Sequence, residues 1–196
     1  MDSMNREMAG VLLAGGLSSR MGADKASLEV DGEPLARRMV DMLAGFCDEV
    51  LVASGDGRRL GWLGVRQVAD VLPDAGPLAG LVPGLEAAGP RHALIAVVAV
   101  DMPYASPAVF RLLGELWGGE DAVVPVTDAG LEPLHAVYAP AAARPLRAEL
   151  ERGERSLRRG LRALSVREVG PDEWRDADPT GRFALNLNRP EDLAPR

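Results

Sequence analysis

The densest chemistry in the sequence lies between Leu13 and Lys25, which read Leu13-Ala14-Gly15-Gly16-Leu17-Ser18-Ser19-Arg20-Met21-Gly22-Ala23-Asp24-Lys25. Glycines here allow backbone N–H groups to approach an anion closely. Arg20 is a fork that fits phosphate oxygens, and Lys25 is a compact point charge. The loop is not a Walker A motif, because no Gly-Lys-Ser/Thr occurs in it, and its glycine spacing is not that of dinucleotide-binding loops. Two readings of the residues alone stay open: a phosphate-binding loop, or an ordinary strand–helix turn with two solvated cations. Lys25 is the only lysine, the other 21 of the 22 basic residues being arginines. A chain that uses arginine almost everywhere has kept a lysine at this one position.

Three further places carry candidate ligands. Asp101 ends the most apolar run of the chain. A carboxylate at the end of a buried strand needs a partner. Mg²⁺ takes one or two carboxylates together with phosphate oxygens and waters, so Asp101 is a candidate metal ligand; the plainer alternative is a turn aspartate beside Pro103. Asp70 has the same two readings. Asn186 and Asn188 stand two apart and share a face if extended, which suits a polar ligand; the alternative is turn chemistry before Pro190. His135 reads at least as well as a structural, hydrogen-bonded histidine and stays outside the candidate site.

The elements that must hold these residues follow from apolar patterning. Strands are expected at Met8 to Leu13, Glu49 to Ala53, Val65 to Val68, Ala93 to Val100, Ala122 to Val126, Leu134 to Tyr138, Val166 to Val169 and Phe183 to Leu187. Ala93 to Val100 is apolar throughout, as a strand buried on both faces should be. Helices are expected at Pro34 to Phe46, at Leu78 to Ala88 despite Pro83 and Gly84, and from Ser106-Pro107 to about Trp117. Two more are expected within Ala141 to Leu164, broken at Gly153. Strands alternate with helices throughout. The fold class is therefore α/β: one domain over residues 1–196, a mostly parallel central sheet with helices on both faces, Rossmann-like. In such folds ligands bind beyond the carboxyl ends of the strands, where the loop at Gly15, Asp70 and Asp101 all fall.

Composition narrows the class. The 196 residues are 47% apolar, enough for a full core. A net charge of −7 speaks against a nucleic-acid partner. One cysteine, Cys47, and two histidines leave no intrachain disulfide and no zinc cluster. Cys47 reads as a small buried apolar residue. The longest apolar run falls far short of the ~20 residues that cross a bilayer, so no membrane partner is expected. Met1 to Met8 has no apolar signal core, and a cytoplasmic protein is expected.

In order along the chain, the segments resemble those of the molybdenum cofactor guanylyltransferase family within the nucleotidyltransferase superfamily. The resemblance is carried by the loop from Leu13 to Lys25, by Gly76-Pro77-Leu78-Ala79-Gly80-Leu81 and by Val100-Asp101-Met102-Pro103-Tyr104. Gly153-Glu154-Arg155 and Asn186-Leu187-Asn188-Arg189-Pro190-Glu191-Asp192 continue it, so that it spans Val11 to Leu193. The resemblance implies transfer of GMP from GTP to the terminal phosphate of a molybdopterin-type cofactor, with Mg²⁺, releasing pyrophosphate. It implies that Leu13, Ala14, Gly15 and Gly16 hold the nucleotide by their backbone, with Asp70 and Gly80 beside it. Arg20 and Lys25 would meet the phosphates, Asp101 would hold Mg²⁺ and Asn186 and Asn188 would lie near the acceptor. Residues 8–105 would form a nucleotide-binding half and 106–196 an acceptor-binding half. Cofactor-insertion or client-enzyme proteins are the implied protein partners.

Two departures stand out: Ala53 replaces an asparagine frequent in the family, and the first loop is one residue shorter than in some members. Cytidylyltransferase relatives usually read Leu-Ala-Ala-Gly, so Gly15 points to guanine. The competing functions are a sister enzyme using CTP or another phosphorylated acceptor, and a catalytically silent nucleotide-binding regulator. Retention of Arg20, Lys25 and Asp101 together speaks against the second.

Overall fold

The structure is a computed structural model that describes residues 8–15, 24–30, 32–73 and 75–187. Strand β1 (Met8–Leu13) is buried along its whole length, as its unbroken apolar sequence requires. A small hairpin follows, β2 (Glu29–Val30) with β3 (Glu33–Pro34), turned by Gly32 at φ 80°. Helix α1 (Leu35–Ala44) starts one residue later than expected, because Pro34 is its cap rather than its first turn. Strands β4 (Glu49–Ala53) and β5 (Arg66–Val68) precede α2 (Pro77–Ala88). Next come β6 (Leu94–Ala99) and α3 (Pro107–Leu116), which Ser106 caps by accepting the Val109 N–H at 3.4 Å. The last part holds β7 (Ala122–Thr127), β8 (Gly130–Leu131), β9 (His135–Tyr138), α4 (Ala143–Glu151), α5 (Leu157–Gly160), β10 (Val166–Val169) and α6 (Pro171–Trp174).

The sheet runs β10-β7-β9-β6-β1-β4-β5, with β8 paired to β7. Every pairing along it is parallel except the two made by β9, which lies antiparallel between β6 and β7. The α/β class and the mostly parallel sheet are as expected. One expected strand is not. Phe183 to Leu187 forms a 3-10 turn, Arg182–Ala184, after Gly181 at φ 64°, and then an extended stretch outside the sheet. Its alternating Phe183, Leu185 and Leu187 mimic a half-buried strand. Phe183 and Leu187 are indeed buried, but Leu185 is 52% exposed. The backbone of Leu187 bonds to the loop after β6 instead of to a neighbouring strand.

Two apolar layers cover the sheet. One gathers α1 and α3 with Leu12, Val98 and Phe110; the other gathers α2 and α4 with Val11, Val97 and Leu81. Cys47 is buried in the first layer, where loss of hydration pushes its thiol up to about 12. The close packing on both faces of β1 depends on glycine. A Cβ at Gly10 would stand 3.1 Å from Leu43 Cβ of α1, and one at Gly84 of α2 only 2.7 Å from Val11 Cγ1. Among the described residues no helix is long and apolar enough to cross a membrane.

Gly84→Ala adds a methyl group where none fits. Overpacking of this kind costs about 1–3 kcal/mol, against about 1 kcal/mol regained in helix propensity. We expect a net loss near 1 kcal/mol in urea unfolding, and little or no further loss when Gly84→Ala is added to Val11→Ala, where the clashing methyl is gone. An equal loss in both backgrounds would contradict the proposed contact.

Candidate active site

The carboxyl ends of β1, β4, β5 and β6 converge at one edge of the sheet. Ala14 N–H donates to Ala53 carbonyl at 2.8 Å, Val100 N–H to Leu13 carbonyl at 3.0 Å, and Asp70 N–H to Gly55 carbonyl at 2.8 Å. The exposed backbone of Gly15 lies over this edge. The Asp70 carboxylate sits between two glycines. A Cβ at Gly15 would be 2.8 Å from its Oδ2, and a Cβ at Gly80 3.0 Å from its Oδ1. Three residues singled out in the sequence, Gly15, Asp70 and Gly80, are thus brought into contact. Gly80 also meets Ala53, whose Cβ would lie 3.1 Å from an added methyl. Ala53 is fully buried there, so a larger side chain, such as the asparagine that the family resemblance implies, would have to displace its neighbours.

A proline inside α2 explains how Asp70 is held. Pro83 has no N–H to give to the carbonyl of Ala79 four residues back. That carbonyl instead accepts the N–H of Val71 at 2.9 Å, which ties the residue after Asp70 to the first turn of the helix. Gly76 at φ 77° and Pro77 start that turn. The feature that weakens the helix as an isolated pattern is the one that fastens the Asp70 loop to it.

Beside this lies a second cluster. Asp24 Oδ1 accepts the Ala26 N–H at 3.1 Å and caps the 3-10 turn Lys25–Ser27. From that turn Lys25 Nζ donates to Asp101 Oδ2 at 2.8 Å and to Leu187 carbonyl at 3.1 Å. Leu187 N–H in turn donates to Asp101 carbonyl at 2.7 Å. The ion pair is part-buried, with side-chain exposures of 22% and 23%. Two residues 76 positions apart therefore meet, and the Asn186 segment is drawn to them. Asn186 is exposed next to Leu187. It follows the 3-10 turn Arg182–Ala184, outside the sheet. Gly16, Arg20 and Asn188 lie outside the described residues.

Sequence patterning missed Arg59. Its guanidinium donates to the Asp24 carboxylate and to the Ala14 carbonyl, and its Nε to Ser54 carbonyl at 3.3 Å. It thereby joins the turn that carries Lys25 to the ends of β1 and β4. The signal was local: Asp56 Oδ1 accepts the N–H groups of Arg58 and Arg59 at 2.9 and 2.8 Å, with Gly57 at φ 77°. That aspartate–glycine turn aims the arginine. Ser54, also missed, is 1% exposed, and its hydroxyl has no hydrogen-bond partner among the described residues. His135 stays outside the site. It is fully buried, stacked on Phe110 with ring centroids 3.9 Å apart, and its Nε2 accepts the Ser106 N–H at 3.0 Å. Burial lowers its pKa to about 3, so it is a neutral structural acceptor.

The model of the MobA-like NTP transferase domain matches residues 10–169. The chain belongs to that family. A probable molybdenum cofactor guanylyltransferase of Chloroflexus aggregans is 41% identical over 192 residues, covering 95% of this chain and 91% of that protein. One from Opitutus terrae is 43% identical over 196 residues, covering 94% and 92%. The crystal structure of molybdopterin-guanine dinucleotide biosynthesis protein A from Archaeoglobus fulgidus superposes with a TM-score of 0.81 at 28% identity, over 94% of both chains.

The donor set of this MobA-like chain also bears on metal binding. Among the described residues no group of three His, Cys, Asp or Glu side chains could cage an ion. Asp101 offers a partly exposed carboxylate on which, among the described residues, Lys25 engages one oxygen. One such carboxylate fits an ion that brings phosphate oxygens and waters of its own, as Mg²⁺ does.

Arg59→Ala removes the fork that holds Asp24. We expect GTP affinity to fall about tenfold, near 1.4 kcal/mol, with a melting temperature only a few degrees lower. Arg59→Lys should recover little, since a point charge cannot bridge three acceptors. Calorimetric titration of GTP into each protein tests this, and wild-type affinity in Arg59→Ala would contradict it.

Proposed function

We propose that this chain transfers GMP from GTP to the terminal phosphate of a molybdopterin-type cofactor and releases pyrophosphate. The observation that carries the reading is the Lys25 ammonium on the Asp101 carboxylate at the strand ends, with the Asn186 segment fastened to both. A lysine, a single carboxylate and an open glycine backbone make a site for a metal–triphosphate. Membership of the MobA-like family and the names of its relatives supply the base and the acceptor.

In this reading residues 8–105 hold the nucleotide and 106–196 the acceptor. The backbone of Leu13, Ala14, Gly15 and Gly16 receives the nucleotide, flanked by Asp70 and Gly80. A side chain at Gly15 would displace the Asp70 carboxylate, which gives the glycine a physical role beyond its family pattern. Asp101 would hold Mg²⁺, which neutralises phosphate charge when bound. Lys25, together with Arg20, stabilises the departing pyrophosphate. Asn186 and Asn188 position the acceptor.

An oxygen of the acceptor phosphate attacks the α-phosphorus of GTP; the new P–O bond forms as the bond to the β-phosphate bridge breaks. The attacking phosphate is already an anion near pH 7, so no general base is needed. Catalysis then rests on in-line placement and charge neutralisation. The structural role of His135, neutral and buried, agrees with this. GTP and the cofactor are cytoplasmic substrates, and a cofactor-insertion or client protein would receive the product.

Pyrophosphate release is measured with each of the four NTPs, with and without molybdopterin and Mg²⁺, for wild type and Asp101→Asn. We expect turnover only with GTP, molybdopterin and Mg²⁺ together, and a rate for Asp101→Asn at least a hundredfold lower. Loss of one part-buried ion pair costs about 1 kcal/mol, so the variant should melt within about 2–4 °C of wild type. CTP turnover equal to GTP would overturn the choice of base, and activity retained in Asp101→Asn would overturn the metal role.

A further inference from the structure

The loop after β6 and the segment before Leu187 are laced together twice. One tie is the Leu187 N–H to Asp101 carbonyl bond. The other is a stack: the Arg182 guanidinium lies over the Tyr104 ring, its central carbon 3.7 Å from the centroid. Tyr104 is three residues from Asp101, so its Cα lies within about 11 Å of the Asp101 Cα by chain length alone. The stack covers the flat face of the guanidinium and leaves its N–H edge unengaged. Among the described residues that edge makes no hydrogen bond or ion pair, and the Tyr104 hydroxyl makes none. The carboxylate nearest in sequence, Asp178, is occupied instead by the Thr180 hydroxyl at 2.6 Å and by the N–H of Thr180 and of Phe183 at 3.0 and 3.1 Å. Arg182 is exposed. A cation stacked on an aromatic ring, with no carboxylate paired to it among the described residues and close in sequence to Asp101 and Leu187, has the character of an anion receptor.

Two anions must meet for nucleotidyl transfer. Lys25 and Asp101 serve the triphosphate, and the acceptor phosphate needs a cation of its own on the other side of the reacting phosphorus. We propose that the Arg182–Tyr104 stack is the phosphate subsite of the acceptor, with the guanidinium fork gripping the phosphate monoester. Stacking fixes the fork in advance, so little side-chain entropy is lost on binding.

The inference rests on the transfer reaction proposed above, and the two can fail separately. Wild type, Arg182→Ala, Arg182→Lys and Tyr104→Leu are compared in two measurements. The first is KM and kcat for molybdopterin at saturating GTP. The second is calorimetric binding of inorganic phosphate to protein preloaded with Mg²⁺ and a non-hydrolysable GTP analogue. Arg182→Ala should raise KM tenfold or more with a smaller change in kcat, and weaken phosphate binding by a similar factor. Arg182→Lys should recover part of this, Tyr104→Leu should fall between, and GTP affinity should not move. Unchanged KM and phosphate binding in Arg182→Ala would overturn the subsite. A joint fall in melting temperature, GTP affinity and turnover would do so too, by marking Arg182 as a strut between loops. If wild type fails to turn over molybdopterin, the transfer reading falls, while the phosphate titration still decides for or against the subsite.

Discussion

The ion pair between Lys25 and Asp101 is the constraint on which the rest of the site depends. It joins the end of the first loop to the loop after the buried strand β6, and through the Leu187 carbonyl it also anchors the last described segment. A pair with about a fifth of each side chain exposed lies between two regimes. Exposed pairs contribute little, whereas breaking a buried one leaves a costly lone charge. Here the lysine has a second acceptor, the Leu187 carbonyl, and among the described residues the carboxylate has an oxygen to spare. Such a pair holds the two loops together without locking them: in the proposed reading a metal and a triphosphate would divide the two charges between them.

Around the pair, the backbone is arranged by the removal of atoms as much as by contacts. Glycines at 15 and 80 leave the volume in which the Asp70 carboxylate sits. Pro83 leaves the Ala79 carbonyl open for Val71. Glycines at 10 and 84 let α1 and α2 approach β1 from opposite faces, so the strand that ends in the loop is clamped along its length. Arg59 then binds Asp24 to the same strand end. The candidate reactive groups sit in turns and loops at the ends of rigid elements, and those loops are tied at single, identifiable points.

Much of this was legible in the sequence. The apolar run into Asp101 and the Ser106-Pro107 cap follow from burial and capping rules alone, and the family resemblance points to Gly15, Asp70 and Gly80, which the fold brings into contact. What periodicity could not supply was direction and long-range pairing. A four-residue apolar strand such as His135–Tyr138 reads the same parallel or antiparallel, so the reversed β9 was invisible. Phe183, Leu185 and Leu187 alternate like a strand, but Leu185 is exposed between two buried neighbours and the Leu187 backbone bonds to the loop after β6 rather than to a strand. Arg59 was passed over because one arginine among 21 carries no compositional signal, in contrast to the lone lysine.

That lone lysine allows the most direct test of the account. An amine-reactive GTP analogue can label only Lys25 and the N-terminal amine, and peptide mapping separates the two. The account predicts stoichiometric label on Lys25, abolished by excess Mg²⁺–GTP and slowed much less by Mg²⁺–CTP. Label confined to the N-terminal amine, or Lys25 labelled equally with and without GTP, would show that this lysine does not face the nucleotide and would remove the centre of the proposed site.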